Sequence, residues 1–186
     1  MGLTRLRGSA IRSANDDRYF SMVLNLICGA TTPEEIILRC EDEANRLDMK
    51  IMTKASTSLK WSKMTTTFYR EIRLSQGYSD KSPWQKAATW CHEMVHVYQW
   101  RGMGRTKFAS RYAWRTSRWW IEMQAYRMDI YISKMSLAKT TKIQDSIESM
   151  PSNLRSGYAL GGLRQKDLRD ATREVLTGEL NKTRLT

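Results

Sequence analysis

A segment with the features of a helix carries both histidines of this 186-residue chain. Ser82 and Pro83 are typical of a helix start, because serine caps free amides and proline suits the first turn, and Gln85 can complete a capping box. His92 and His96 lie four residues apart, so both imidazoles leave one side of such a helix and can reach a single ion. This spacing restricts the fold to one in which a helix near the core presents a pair of metal ligands.

The histidines lie beside an apolar stripe that we expect to face the core, made of Trp84, Ala87, Ala88, Cys91, Val95 and Tyr98. His92 and His96 flank this stripe next to Gln99, which we expect to hydrogen-bond an imidazole rather than the metal. Glu93 lies further round the helix. Its carboxylate is placed to hydrogen-bond a zinc-bound water and to take its proton during attack on a carbonyl.

A catalytic zinc site needs a third protein ligand, and no further histidine can supply it. No Asp or Glu occurs between Glu93 and Glu122, which makes Glu122 the first acid on the next long predicted helix. Tyr126 and Asp129 share a face of that helix with Glu122. We predict that Glu122 binds the metal, that Asp129 orients an imidazole and that Tyr126 donates a hydrogen bond to a developing oxyanion.

Plainer interpretations of these residues exist. The two histidines can be ordinary residues at the edge of a core, and Glu122 can be an exposed acid that pairs with Arg118 one turn earlier. Against the first alternative, two histidines scattered at random would fall four apart in only about 1% of arrangements, and fewer still would have a glutamate directly after the first. The metal site is therefore the favoured prediction.

The two motifs together resemble gluzincin-type zinc metallopeptidases, in particular a group of small peptidase-like domains with the pattern HExxHVxQ…ExxA. The first motif is His92-Glu93-Met94-Val95-His96-Val97-Tyr98-Gln99, and the second is Ile121-Glu122-Met123-Gln124-Ala125-Tyr126. The resemblance covers residues 58–135. Gln124 stands where the family pattern ExEA has its second acid, a departure that leaves the ligand position itself unchanged.

The resemblance implies a Zn²⁺ site made by His92, His96 and Glu122, with Glu93 as the general base. It also implies an α+β, zincin-like fold, in which a small antiparallel sheet packs on the HExxH helix and on the helix of the third ligand. One strand of such a sheet binds extended substrate along its edge. Residues 65–74 are the candidate strand, unless that strand is paired on both sides. The implied activity is hydrolysis of peptide bonds in protein or in peptidoglycan peptides.

A different class of function fits the same residues. The chain can instead be a structural or nucleic-acid-associated component, for example of a phage virion, that keeps the zincin fold with little or no turnover. Its formal net charge of +12 favours contact with polyanions. Incorporation into a larger assembly is part of this second interpretation.

The positive charge is most concentrated in residues 98–120, which contain no acid and carry Arg101, Arg105, Arg111, Arg115 and Arg118. Spacing predicts that Arg111, Arg115 and Arg118 share one helix face, a cationic surface for nucleic acid or another acidic polymer. The interleaved tryptophans Trp114, Trp119 and Trp120 are candidate anchors for a protein partner. The alternative is a solvated basic face backed by aromatic residues of the core.

Local signals predict the remaining elements. Helices are expected from about residue 15 to residue 28 and from Thr32 to about Leu47, and alternation over residues 49–74 predicts two or three antiparallel strands. We expect the HExxH helix to end near residue 100, and further helices over 107–116 and 119–135. Residues 1–135 form the predicted peptidase-like domain, and residues 136–186 form a C-terminal helical arm that is broken at Pro151 and at 161–162.

Targeting signals are weak in this sequence. It contains no apolar run long enough to span a membrane and no pattern of a cleaved signal peptide, so we expect a cytoplasmic protein. Incorporation into a virion, or export by another route, is compatible with this expectation. Cys28, Cys40 and Cys91 lack the spacing of a metal or redox motif and are expected to be reduced, packed thiols.

Overall fold

The computed structural model describes residues 17–52, 65–66, 70–74, 76–138, 140–157 and 165–182. Over these ranges the chain is mostly helical. Its helices are α1 (Arg18–Ile27), α2 (Pro33–Arg46), α3 (Pro83–Met103), α4 (Arg105–Ala113), α5 (Arg115–Met135), α6 (Thr140–Gly157) and α7 (Gln165–Asn181). A small sheet contains β1 (Lys50–Met52), β2 (Thr65–Thr66) and β3 (Glu71–Arg73), and a 3₁₀ turn (Gln76–Tyr78) precedes α3.

Helices α2 and α3 begin at the predicted capping boxes. The Thr32 hydroxyl accepts a hydrogen bond from the Glu35 amide at 3.2 Å, and the Glu35 carboxylate accepts one from the Thr32 amide at 3.3 Å. Ser82 and Gln85 exchange the same pair of bonds at the start of α3. Gly104 follows α3 with a φ of 77°, a left-handed conformation that favours glycine, and α4 begins at the next residue.

Helix α3 lies at the centre of the fold, where α1, α2, α4, α5 and β2 all contact it. Its residues from Trp90 to Gln99 are therefore buried around the whole circumference of the helix rather than along one stripe. His92 and His96 are only 8% and 7% exposed. They therefore lie inside the protein and not at the border of its core, where we expected them. That expectation was wrong because a helical wheel counts apolar residues and cannot show how many neighbours surround a helix.

The sheet is mixed, so the predicted antiparallel sheet is wrong. β3 is the central strand, with β1 parallel on one side and β2 antiparallel on the other. Ile51 of β1 lies beside Ile72 of β3. Alternation of side chains predicts that a strand forms, but the direction of a strand depends on the path of the chain through the fold, which alternation does not encode.

The described residues within 65–74 form two short strands, β2 and β3, instead of the single strand that we expected. Arg70 lies between them with a φ of 59°, a left-handed conformation that a continuous strand does not contain. β3 is paired on both sides, so it cannot offer a free edge to substrate, whereas β2 lies at the edge of the sheet that the described residues form. Residues 53–64, which belong to the stretch where we expected strands, lie outside the described residues.

The C-terminal helices α6 and α7 pack on each other and on α5. Helix α6 continues through Pro151, which contradicts the predicted break at this residue. A proline removes one hydrogen bond from a helix, but Ile143, Ile147 and Leu154 are buried along one face of α6 and hold the helix on both sides of the proline. The break predicted at residues 161–162 lies outside the described part of the chain.

A buried ion pair joins α5 to α7 and to the residue that precedes α1. The fully buried Arg127 donates through Nε to the Glu179 carboxylate at 3.0 Å and through a second nitrogen to Asp17. Its guanidinium also lies 4.6 Å from the ring centroid of Phe20. Because a buried charge is tolerated only when it is paired, these contacts fix how α1, α5 and α7 pack together.

The three cysteines are free thiols. Cys40 and Cys91 are buried, as we expected, but Cys28 is exposed because it lies in the turn that ends α1.

The hydropathy of the helices agrees with the sequence analysis, since no described helix combines the length and the apolar character that crossing a membrane requires.

Replacing Glu179 by Gln should lower the free energy of unfolding by about 3 kcal/mol, because a buried guanidinium loses a charged partner. Asp17 stays beside Arg127, which keeps the loss at the lower end of the range for broken buried pairs. Urea denaturation followed by circular dichroism measures the change. The matched control, Glu148→Gln, breaks the exposed pair with Arg173 and should cost far less, because solvent already screens this pair. Equal losses would contradict this account of the buried pair.

Candidate metal centre

His92 and His96 of α3 and Glu122 of α5 form a buried cluster that could hold a metal ion. The Nε2 atoms of His92 and His96 lie 3.8 and 3.6 Å from Oε2 of Glu122. Two ligand atoms bound to one tetrahedral zinc at ordinary bond lengths lie about 3.3 Å apart. The cluster is therefore close to the size of a zinc site, and its ligand atoms are too far apart to satisfy each other by hydrogen bonds.

The carboxylate of Glu122 has one oxygen whose environment fits a cation. Glu122 is 1% exposed, and within the described part of the chain Oε2 has no hydrogen-bond partner. The other oxygen, Oε1, accepts a hydrogen bond from the Tyr112 hydroxyl at 2.8 Å. Since a buried carboxylate oxygen without a partner is costly, an ion between Oε2 and the two imidazoles would stabilise this arrangement.

Each imidazole is oriented through its second ring nitrogen. Nδ1 of His92 lies 3.1 Å from Oδ2 of Asp129, and Nδ1 of His96 lies 2.9 Å from Oε1 of Gln99. Because carboxylate and amide oxygens only accept hydrogen bonds, both Nδ1 atoms carry the proton and both Nε2 atoms are free to bind a metal in the neutral rings. The structure thus brings Asp129 and Gln99, the two residues expected to orient the histidines, into contact with them.

Gln99 is itself held by helix α5. Its Nε2 donates to the carbonyl of Ile121 at 3.1 Å and to Oε1 of Gln124 at 2.7 Å, and both glutamines are fully buried. These two bonds require the amide nitrogen of Gln99 to face α5, which leaves its oxygen facing His96. Gln124, which in the sequence is only a departure from the family pattern, therefore supports the orientation of a candidate ligand.

Without a metal, the cluster binds protons. Burial lowers the pKa of His96, but Glu122, Glu93 and Gln99 together outweigh burial and raise that pKa to about 9. Burial also lowers the pKa of His92, but Asp129 and Glu93 together outweigh it, so this pKa is raised as well. Burial raises the pKa of Glu122, but His96 and then His92 bring it below its ordinary value. A metal ion that enters this site must displace protons from the imidazoles.

Glu93 and Tyr126 lie at the same site. Glu93 is buried. Burial lowers the pKa values of the His92 and His96 imidazoles, and the negative charge of Glu93 is one of the nearby charges that raise them. The ring of Tyr126 packs edge-on against that of His92, with 4.9 Å between the centroids. The structure therefore groups the predicted general base and the predicted oxyanion donor with the three candidate ligands.

Sequence reasoning misses Tyr112, the residue that binds the second oxygen of Glu122. Tyr112 lies on α4 and Glu122 on α5, so no helical spacing connects them. The two helices are separated at Trp114, which has an extended backbone and is neither glycine nor proline. The sequence predicts a break between these helices at residues 117–118, but the break lies about three residues earlier, so the contact between Tyr112 and Glu122 is not predicted.

The same break contradicts the prediction that three arginines share one helix face. Arg111 lies on α4, whereas Arg115 and Arg118 lie on α5. Arg118 donates through Nε to the carbonyl of Tyr112 at 2.5 Å, where the end of α4 leaves carbonyls without helical partners.

The alternative in which Glu122 is an exposed acid is also wrong, because Glu122 is buried.

The remaining arginines are divided between the protein and its surface. Arg101 donates to the carbonyl of Leu47 at 3.0 Å, and the guanidinium of Arg111 lies 5.4 Å from the ring centroid of Trp120. Arg105 and Arg115 are exposed. The cationic surface thus exists in part, since some of its members fold back onto the chain.

The three tryptophans of this stretch differ in their environment. Trp119 and Trp120 are buried in the core, so they cannot anchor a partner as proposed from the sequence. Trp119 instead donates to the Thr172 hydroxyl of α7 at 3.0 Å. Trp114 is 71% exposed and is the tryptophan that a partner could reach.

Comparisons with protein-family models, with curated proteins and with solved structures find no match to this chain. Its function must therefore be inferred from the geometry of the cluster and from the chemistry of its side chains. The likeness to gluzincin peptidases remains a prediction from the two sequence motifs.

The metal-free protein should become less stable as the pH rises from about 6.5 to about 9. The pKa of His96 is raised from 6.5 to about 9 in the folded state. Its pairing with Glu122 therefore stabilises the fold fully below the unfolded-state pKa, and this stabilisation is lost as the pH rises through the folded-state pKa. The loss should be on the order of 3 kcal/mol. Urea denaturation at both ends of this pH range, in the presence of a chelator, measures it.

The control for this prediction is His96→Gln, which removes the titrating group from the site. The pH dependence of stability that remains in this variant should come from His92. The pKa of His92 is also raised, although burial lowers it. A wild-type stability that stays constant or increases with pH over this range would contradict the ion pair between His96 and Glu122.

Proposed function

We propose that this protein is a zinc-dependent peptidase with a zincin-like arrangement of its two ligand helices. The observation that carries the proposal is the buried, unpartnered Oε2 of Glu122, which faces two imidazoles whose Nδ1 atoms are already hydrogen-bonded. Two imidazole nitrogens and one carboxylate oxygen are a donor set found in catalytic zinc sites, where a fourth position stays open. His92, His96 and Glu122 would hold the ion.

A zinc ion held by these residues would supply Lewis acidity to a substrate carbonyl and make water acidic near neutral pH. Glu93 would accept the proton of the attacking water and deliver it to the leaving amine. Tyr126, which packs against His92, would donate a hydrogen bond to the oxygen that becomes negative. Asp129 and Gln99 would keep the imidazoles oriented during the reaction.

The substrate would be a peptide bond in a protein or in a peptidoglycan peptide, as the resemblance to the family implies. Among the described strands, β2 lies at an edge of the sheet and contacts α3, the helix of the two histidines. An extended peptide that paired with β2 would run alongside this helix. β2 therefore replaces β3 as the candidate strand for substrate binding, because β3 is paired on both sides and has no free edge.

The purified protein should contain about one zinc ion per chain and should cleave peptides. Glu93→Gln should keep the zinc and lower the rate of cleavage by about 10²- to 10⁴-fold, because an amide cannot accept the proton. His96→Ala should lose the zinc and the activity together. Elemental analysis and cleavage of a peptide library, both carried out on the same preparation, measure the two quantities.

The control for these variants is Glu174→Gln, a change at an exposed carboxylate of α7 that should alter neither zinc content nor activity. A protein that retains no zinc after loading and dialysis would contradict the metal site. A zinc-loaded protein that cleaves nothing but remains bound to a larger assembly would favour the structural role over the enzyme.

A second function is favoured by the exposure of Trp114. This side chain is next to the exposed Arg115, in a stretch from residue 97 to residue 121 that contains no acid. We propose that Trp114 stacks with the bases of a single-stranded nucleic acid while Arg105 and Arg115 bind its phosphates. Such nucleic-acid binding would suit a virion component, and it is also compatible with peptidase activity.

Binding to an oligodeoxythymidine should weaken as salt increases. The double variant Arg105→Gln/Arg115→Gln should reduce the slope of log K against log salt by about 1.4, since each lost phosphate contact contributes about 0.7 on single strands. Fluorescence anisotropy at several salt concentrations measures the slope. The control is Arg169→Gln/Arg173→Gln, which removes two partly exposed arginines of α7. The same decrease in both double variants would show only a general charge effect.

A further inference from the structure

We propose that Tyr112 is a positioning residue of the metal centre, which holds Glu122 so that this carboxylate offers a single oxygen to the metal. The inference rests on the proposed metal site and goes beyond it, because it states how the third ligand binds and what sets the coordination number. No motif of the sequence contains Tyr112, which lies ten residues before Glu122.

The two oxygens of Glu122 have different partners. The Tyr112 hydroxyl donates to Oε1 at 2.8 Å, whereas Oε2 faces Nε2 of both His92 and His96. Because Glu122 is buried, no solvent is available to bind Oε1 in place of the hydroxyl. The hydrogen bond therefore fixes the rotation of the carboxylate group and leaves Oε2 as the ligand atom.

Tyr112 is in turn held on both its ring and its backbone. Its ring stacks with that of Phe108, with 5.8 Å between the centroids, and the guanidinium of Arg118 lies 5.0 Å from its centroid. Arg118 also donates to the backbone carbonyl of Tyr112. Arg118 belongs to α5, the helix that carries Glu122, so α5 holds the tyrosine that positions its own ligand.

This arrangement has a consequence for metal binding. A carboxylate that binds through one oxygen, together with two imidazoles, suits the tetrahedral geometry that zinc prefers. A carboxylate that is free to rotate can bind through both oxygens, which raises the coordination number and suits other metal ions. Loss of the Tyr112 hydroxyl should therefore change both the affinity for zinc and the geometry of the bound ion.

The test is Tyr112→Phe, which removes the hydroxyl and keeps the ring that packs against Phe108 and Arg118. Zinc affinity, measured by competition with a chromogenic chelator, should fall about 10- to 100-fold. Cobalt(II) substituted into the full-length protein should show weaker visible absorption in the variant than in the wild type, because a rise in coordination number reduces the intensity of tetrahedral cobalt bands.

The matched control is Tyr98→Phe, which removes a hydroxyl that also donates to a carboxylate, that of Glu43 at 2.9 Å, away from the metal ligands. This control should bind zinc and cobalt as the wild type does. Arg118→Gln is a second variant, which loosens Tyr112 without changing it and should also lower the affinity for zinc.

The outcomes separate this inference from the proposed function. If the wild type binds zinc and cobalt, and Tyr112→Phe and Arg118→Gln match it in affinity and in cobalt spectrum, the positioning role is overturned while the metal site stands. If the wild type binds neither metal, the proposed function fails. A loss of affinity with a changed cobalt spectrum in Tyr112→Phe, and not in Tyr98→Phe, supports the positioning role.

Discussion

The burial of the Glu122 carboxylate is the constraint around which the centre of this protein is organised. A buried carboxylate must be compensated at both oxygens, because its removal from water is costly. Tyr112 of α4 compensates one oxygen, and the other faces His92 and His96 of α3. Three helices thus contribute to the environment of one side chain, and α3, which bears the two histidines, is correspondingly enclosed on all sides.

The orientation of the imidazoles extends this constraint to the interface between α3 and α5. A metal-binding imidazole almost always donates its other ring N–H to an acceptor, and here the acceptors are Asp129 and Gln99. Gln99 then needs acceptors for its own amide nitrogen, which Gln124 and the carbonyl of Ile121 provide. Each polar group that is buried to serve the site requires another, so the hydrogen bonds form a connected network between the two helices.

The features that were predicted from sequence are those encoded within a few turns of helix. The capping boxes at Thr32 and Ser82 are confirmed because a cap acts over three residues. The grouping of two histidines with Glu122 follows from a four-residue spacing and from a long stretch without acids. The errors concern interactions between distant residues and the exact position of one break. The direction of β1 depends on the path of the chain, and the helix continues through Pro151 because its flanks are buried. The break that we expected at residues 117–118 lies at Trp114, which is neither glycine nor proline.

The break at Trp114 also gives a second reason for the positive charge of residues 97–121. It lets Tyr112 reach Glu122, and Arg118 contacts the ring and the backbone carbonyl of this tyrosine. Glu93, Glu122 and Asp129 bring three carboxylates to a site where a divalent ion would balance only two charges. An acid in the surrounding stretch would add to this excess of negative charge, whereas arginines offset it. The lack of acids between Glu93 and Glu122 therefore also avoids further negative charge beside these carboxylates.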